Sequence, residues 1–245
     1  MLFFRFLRFL FGIYAMLIFL ITLLISTTCY FFVFTFIKKE KAPFIAHHFI
    51  SRTWAGTILI LFGIRTVVRN RELLDPSVTY VFIANHLSQL DIPAYAVATK
   101  HPIRFLAKSE LTKLPFMGYI IKRLYVSVDR KDKAARARSM ENMIASLKEG
   151  ISVFICPEGT RNKTNEPLLP FHDGAFRLAI QSQLPLACMV IKNTSKLLSP
   201  LRPIELSPGK VTCEWCKPFP TKGMTIDDLP TLKAAVLEEM TKQLR

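Results

Sequence analysis

From Phe9 to Ile37 the chain runs for 29 residues without a charged side chain. A helix needs ~20 apolar residues to cross the hydrocarbon of a bilayer, so this stretch can span one. It has no small-residue cleavage site and far exceeds a signal-peptide core, which makes it a retained membrane anchor. Positive charge flanks it on both sides, Arg5 and Arg8 before, and Lys38, Lys39 and Lys41 after. The positive-inside rule slightly favours the second group, placing the rest of the chain on the cytoplasmic side of an inner membrane. The abundant phenylalanine suits equally a helix tilted or lodged in one leaflet. Both placements are open from the sequence.

Pro43 breaks the pattern, and a second mixed segment runs from His47 to Ile64, with Trp54 at an interface-like place. His47 and His48 are adjacent, so on a helix they point in different directions and make no metal pair. Residues 1–64 therefore read as membrane-anchoring or interfacial helices, and 65–245 as a separate α/β domain. In that domain apolar runs at 66–68, 78–84, 102–107, 124–128, 151–156, 185–191, 204–206 and 211–215 read as strands. Helical patterns at 91–99, 131–148, 171–181 and 226–244 separate several of them. The alternation predicts an α/β fold, a mixed, largely parallel sheet flanked by helices.

Lys and Arg outnumber Asp and Glu 33 to 18, a formal charge of +15 spread along a chain that is 51% hydrophobic. The charge suits an anionic membrane, a phosphorylated substrate or a nucleic acid, and the hydrophobicity favours the first two. No aromatic–basic module argues for nucleic acid. The five cysteines include one CxxC, Cys213 and Cys216, without a second ligand pair; ordinary core cysteine is the expectation, and no metal site.

Two polar clusters close predicted strands. In Thr79–Asp91, TYVFIANHLSQLD, the apolar run ends at Asn85-His86 and a helix follows Asp91. H-x4-D across a strand end and a first helical turn can return the carboxylate to the imidazole, fix its tautomer and support positive charge. The histidine can then deprotonate a hydroxyl or water. Ser88-x-x-Asp91 also fits a capping box, with one carboxylate oxygen serving the helix and the other the imidazole. The second cluster, Pro157-Glu158-Gly159-Thr160-Arg161, leaves another buried strand. It offers a carboxylate, a glycine able to take positive φ, a hydroxyl and a guanidinium suited to phosphate, or else it is a plain turn. Glu158 can order Arg161 or hold a substrate hydroxyl. Asp129-Arg130 adds a basic residue at a further strand end.

Asn85-His86-Leu-Ser88-Gln-Leu-Asp91 resembles the NHxSxxD block of the lysophospholipid and glycerol-phosphate acyltransferases, and Pro157–Arg161 resembles their FPEGTR block at the family's separation. Gly118 through Arg130 resembles the intervening block and Leu184–Met189 the fourth. The match covers roughly 65–215 and is most similar to the membrane-bound 1-acylglycerol-3-phosphate acyltransferases. The resemblance implies acyl transfer from acyl-CoA or acyl carrier protein to the hydroxyl of a lysophospholipid, with no cofactor. It implies His86 as general base, Asp91 as its orienter, and Arg130, Glu158, Gly159, Thr160 and Arg161 around the phosphate. An acyl-measuring tunnel or groove is expected near 111–124 and the N-terminal helices. Three positions depart from the family pattern: Cys156 replaces an aromatic residue, His172 a lysine and Cys188 a proline. They bear on specificity more than on chemistry, and other lysolipid acceptors, or a non-catalytic lipid-binding protein on this fold, remain alternatives.

Overall fold

The computed structural model describes residues 2–129 and 131–245. The apolar run forms one helix, α1 (Leu2–Phe36), which is long and apolar enough to cross a membrane. A turn leads into α2 (Ala42–Ile45), a π-helical turn (Ala46–Ser51) and α3 (Arg52–Leu61). Pro43 lies in the first turn of α2, where its missing N–H has no partner to lose.

Seven strands follow among the described residues: β1 (Ile64–Arg69), β2 (Val81–Ala84), β3 (Ile103–Lys108), β4 (Val126–Val128), β5 (Ser152–Ile155), β6 (Leu186–Lys192) and β7 (Gly209–Trp215). They form one sheet in the order β1-β7-β6-β2-β5-β3-β4. Every neighbouring pair is parallel except β6 with β7. The helices between and after them are α4 (Asp91–Ala98), α5 (Met117–Leu124), α6 (Lys133–Lys148), α7 (Gly174–Ser182), α8 (Thr194–Leu197) and α9 (Leu229–Leu244). The expected mixed, largely parallel sheet with helices on both faces is the observed one.

Burial explains the continuous apolar runs. In β2, Phe82 and Ala84 enter the core beneath α3 and α4, while Val81 and Ile83 enter the core beneath α6, α7 and α9. β6 divides in the same way, with Met189 on the first face and Val190 on the second. A strand covered on both sides has no polar face to show in its sequence. Cys213 and Cys216 fall in opposite cores, and both are free thiols.

The expected strand at 204–206 does not form; only an isolated bridge joins Leu206 to Leu198. Pro203 and Pro208 bracket it and supply no ladder N–H, and the segment receives the start of α1 instead. Arg5 Nη2 reaches Glu205 Oε1 at 2.8 Å, and Arg8 Nη2 donates to the carbonyls of Lys196, Leu197 and Glu205. The helix lies so close that a Cβ on Gly12 would sit 1.6 Å from the Ile204 carbonyl oxygen. Further along α1, Leu23 and Tyr30 pack with Ile120 and Leu124 of α5, and the Tyr30 hydroxyl meets Ser51 Oγ at 2.8 Å. The opposite side of α1 stays exposed, including Phe6, Leu10, Leu17, Leu24 and Phe32.

Candidate active site

β2 and β5 are adjacent and parallel, so their carboxyl ends open at the same edge of the sheet, where α/β folds place ligands. The two polar turns leave from these ends. The first is anchored to β6 by Asn85, whose side-chain amide donates to the Ile191 carbonyl at 3.1 Å and accepts from the Ile191 N–H at 2.8 Å. The Tyr95 hydroxyl donates to the Asn85 carbonyl, and its ring stacks on Phe154. Ser88 Oγ donates to the Leu198 carbonyl at 2.7 Å.

Asp91 is completely buried, with His86 Nδ1 2.7 Å from its Oδ2. The same oxygen accepts the N–H groups of Leu87 at 2.6 Å and Ser88 at 2.7 Å. The Ser88 bond is the carboxylate half of the expected capping box; the hydroxyl half is not made, because Ser88 Oγ accepts the Leu90 N–H at 3.3 Å and not that of Asp91, which is the first residue of α4. The expected division of labour between the two oxygens is absent. Oδ2 serves both imidazole and backbone, and Oδ1 is buried without a hydrogen-bond partner among the described residues. Because a carboxylate can only accept, His86 Nδ1 carries the proton and Nε2 keeps its lone pair. The imidazole is about one-fifth exposed, and no hydrogen bond holds Nε2 among the described residues.

The second turn is tied to the first through Glu158. One carboxylate oxygen accepts the His86 N–H at 2.7 Å and the other the Leu169 N–H at 3.0 Å. Burial pushes the Glu158 carboxyl above its usual range, against the pull of these two donors. No ion pair joins it to Arg161 among the described residues. Gly159 takes φ +70°, the left-handed conformation that lets the chain turn back so soon after β5. The Asn162 N–H then donates to the His86 carbonyl at 2.7 Å, a second tie between the turns. Arg161, the residue before it, is half-buried, with Nη1 buried and without a hydrogen-bond partner among the described residues, while Thr160 is exposed. Arg130 lies outside the described residues.

The fold thus brings together His86, Asp91 and Glu158, with Arg161 adjoining them along the chain. Asn85 and Ser88 stand in the NHxSxxD block, but their partners on Ile191 and Leu198 are not legible as spacing. Tyr95 was missed, although it lies four residues after Asp91 on the same face of α4.

A sequence model of the family described as "Acyltransferase" matches residues 65–192. The chain is 33% identical over 183 residues to a mouse 1-acyl-sn-glycerol-3-phosphate acyltransferase alpha, 74% of this chain and 64% of that protein, so the match spans slightly under two thirds of the relative. It is 28% identical over 215 residues to a Saccharomyces cerevisiae 1-acyl-sn-glycerol-3-phosphate acyltransferase, covering 86% of this chain and 69% of that one. The crystal structure of the 1-acyl-sn-glycerophosphate acyltransferase from Thermotoga maritima superposes with a TM-score of 0.80 at 23% identity, over 98% of this chain and 94% of that one. The family model spans just over half of the chain, so this chain belongs to the acyltransferase family.

Proposed function

We propose that the protein transfers a fatty acyl group from acyl-CoA or acyl carrier protein to the free sn-2 hydroxyl of 1-acylglycerol-3-phosphate, giving phosphatidic acid. The observation that carries this reading is the 2.7 Å contact of His86 Nδ1 with buried Asp91 Oδ2, which leaves Nε2 as the available base. Nε2 takes the proton of the acceptor hydroxyl, and the oxygen attacks the thioester carbonyl. The new C–O bond forms, the C–S bond breaks, and the imidazolium returns its proton to the departing thiolate. Asp91 supports the imidazolium and fixes its orientation. Arg161, with a buried donor that has no partner among the described residues, would bind the acceptor's phosphate, assisted by Arg130 and the 158–160 turn.

The lipid enters from the membrane in this reading. At ~1.5 Å per residue α1 is far longer than the hydrocarbon core is thick, yet the α/β body contacts it near both ends, at Glu205 and at α5. A helix running along its own domain lies with it at one face of a bilayer, so we place α1 in one leaflet and the catalytic face on the cytoplasmic side. The anionic surface there attracts the +15 chain.

The test is purified protein offered a panel of lysolipids with each thioester donor, beside His86→Ala. Conversion of 1-acylglycerol-3-phosphate by the unaltered chain and its loss in H86A, with vesicle binding retained, is the expected result. Turnover by H86A close to the unaltered rate would remove the general base from the scheme.

A further inference from the structure

The segment between β3 and α5 exposes apolar side chains that the fold does not use. Leu111, Leu114 and Phe116 are 40%, 49% and 50% exposed. They are held outward by a tight backbone. Residues Ser109–Lys113 form a 3-10 turn, Pro115 follows, and Phe116 takes φ +60°, which bulky residues rarely adopt. Gly118 then packs so closely that a Cβ there would sit 2.3 Å from the Thr112 carbonyl oxygen. Strain of this kind persists where a use for the exposed shape offsets it.

Two further features identify the occupant. Lys108, Lys113, Lys122 and Arg123 are exposed around the tip, and Glu110 is the single acid between residues 108 and 123. The tip is also continuous with α1. Met117, the residue after Phe116, packs with Ile120 and Leu124 into the cluster that holds Leu23 and Tyr30 of α1. Exposed apolar groups flanked in sequence by basic residues, beside a helix whose outer side is apolar, match lipid tails beneath anionic headgroups.

We infer that the 111–116 tip is a second membrane-inserting element, which enters an anionic lipid surface beside α1. The inference rests on the reading of α1 as membrane-bound. These side chains then point into lipid instead of closing a groove around an acyl chain. A basic and apolar tip would also suit an acidic carrier protein; continuity with α1 favours the membrane.

The experiment places a tryptophan at the tip, L114W, and a control at exposed Leu237 on α9, L237W, each in the full chain. Both are mixed with vesicles of phosphatidylcholine and phosphatidylglycerol. In L114W, emission beyond that of the unaltered chain should shift to the blue and be largely quenched when the lipid tails are brominated. The added emission of L237W should respond only to aqueous iodide. Iodide quenching without bromolipid quenching in L114W, while the chain still floats with vesicles, would overturn the insertion and leave the α1 reading standing. Failure of the unaltered chain to float overturns both. Protection of L114W from iodide by acyl carrier protein, with bromolipid quenching absent, would reassign the tip to the donor.

Discussion

Two buried carboxylates organise the two turns, and they are used in opposite ways. Asp91 gathers three donors onto one oxygen, two of them from the loop that carries His86, so the imidazole and its own backbone are referred to a single point. Glu158 spreads its oxygens over two separate segments, the His86 N–H and the Leu169 N–H. The first arrangement orients a ring. The second joins β5's turn to β2's. The same chemical group thus sets a side-chain direction in one turn and the distance between two loops in the other.

The sharpest way to break the contrast is Asp91→Asn. The amide keeps the size but is neutral and places an NH2 group among N–H donors. Turnover should fall by about 10²–10⁴ through loss of imidazole orientation and charge support. Single-turnover kinetics with the acceptor saturating would measure it. A D91N enzyme as fast as the unaltered one would show that His86 needs no carboxylate.

Glu158→Gln should act on stability as well. Glutamine has one acceptor oxygen, so either His86 N–H or Leu169 N–H is left facing an amide NH2. One broken charge-assisted bond and one unsatisfied buried donor cost roughly 1–3 kcal/mol, read as a lower thermal midpoint. Because the His86 main chain is one of the two ends, turnover should fall in parallel. Lost turnover with an unchanged midpoint would mean that Glu158 contacts substrate directly, the role the family resemblance implied.

These two variants also mark what was readable beforehand. The strands at 81–84 and 152–155 announce themselves because burial on both faces demands unbroken apolar runs. His86 and Asp91 lie five residues apart, within reach of a single turn. The capping-box spacing makes the Ser88 N–H legible as a donor to Asp91, but not the Leu87 N–H or the convergence of all three donors on one oxygen, which depends on where the loop's N–H groups point. Glu158 was named, but its partners at positions 86 and 169 come from separate parts of the chain, and only the sheet order makes β2 and β5 neighbours. The 204–206 segment failed as a strand for a similar reason. Of its apolar residues Leu206 is buried and Ile204 stays 43% exposed, and what α1 meets most closely, almost two hundred residues earlier in the chain, is the Ile204 carbonyl.

Arg161→Ala probes what the joined turns hold. A guanidinium–phosphate interaction contributes about 1.5–3 kcal/mol, so KM for a phosphorylated acceptor should rise about 10- to 100-fold, with a smaller change in kcat. Arg161→Lys should recover part of it, keeping charge without the planar fork. An unaltered KM would leave the buried Nη1 of Arg161 without a role in binding.

The smallest expected effect is at Gly159. Its φ of +70° allows the chain to reverse directly after Glu158. An alanine there costs about 1–2 kcal/mol in the left-handed region, while asparagine tolerates that region better. Gly159→Ala should therefore lower the thermal midpoint more than Gly159→Asn. Turnover separates two accounts of the turn. If it only connects β5 to its loop, activity follows stability and returns at temperatures well below the midpoint. If its backbone sets the distance between Glu158 and the His86 N–H, G159A stays slow even where it is fully folded. That persistent deficit is the expected result, because the bond it disturbs is only 2.7 Å long and has no slack to absorb a shifted turn.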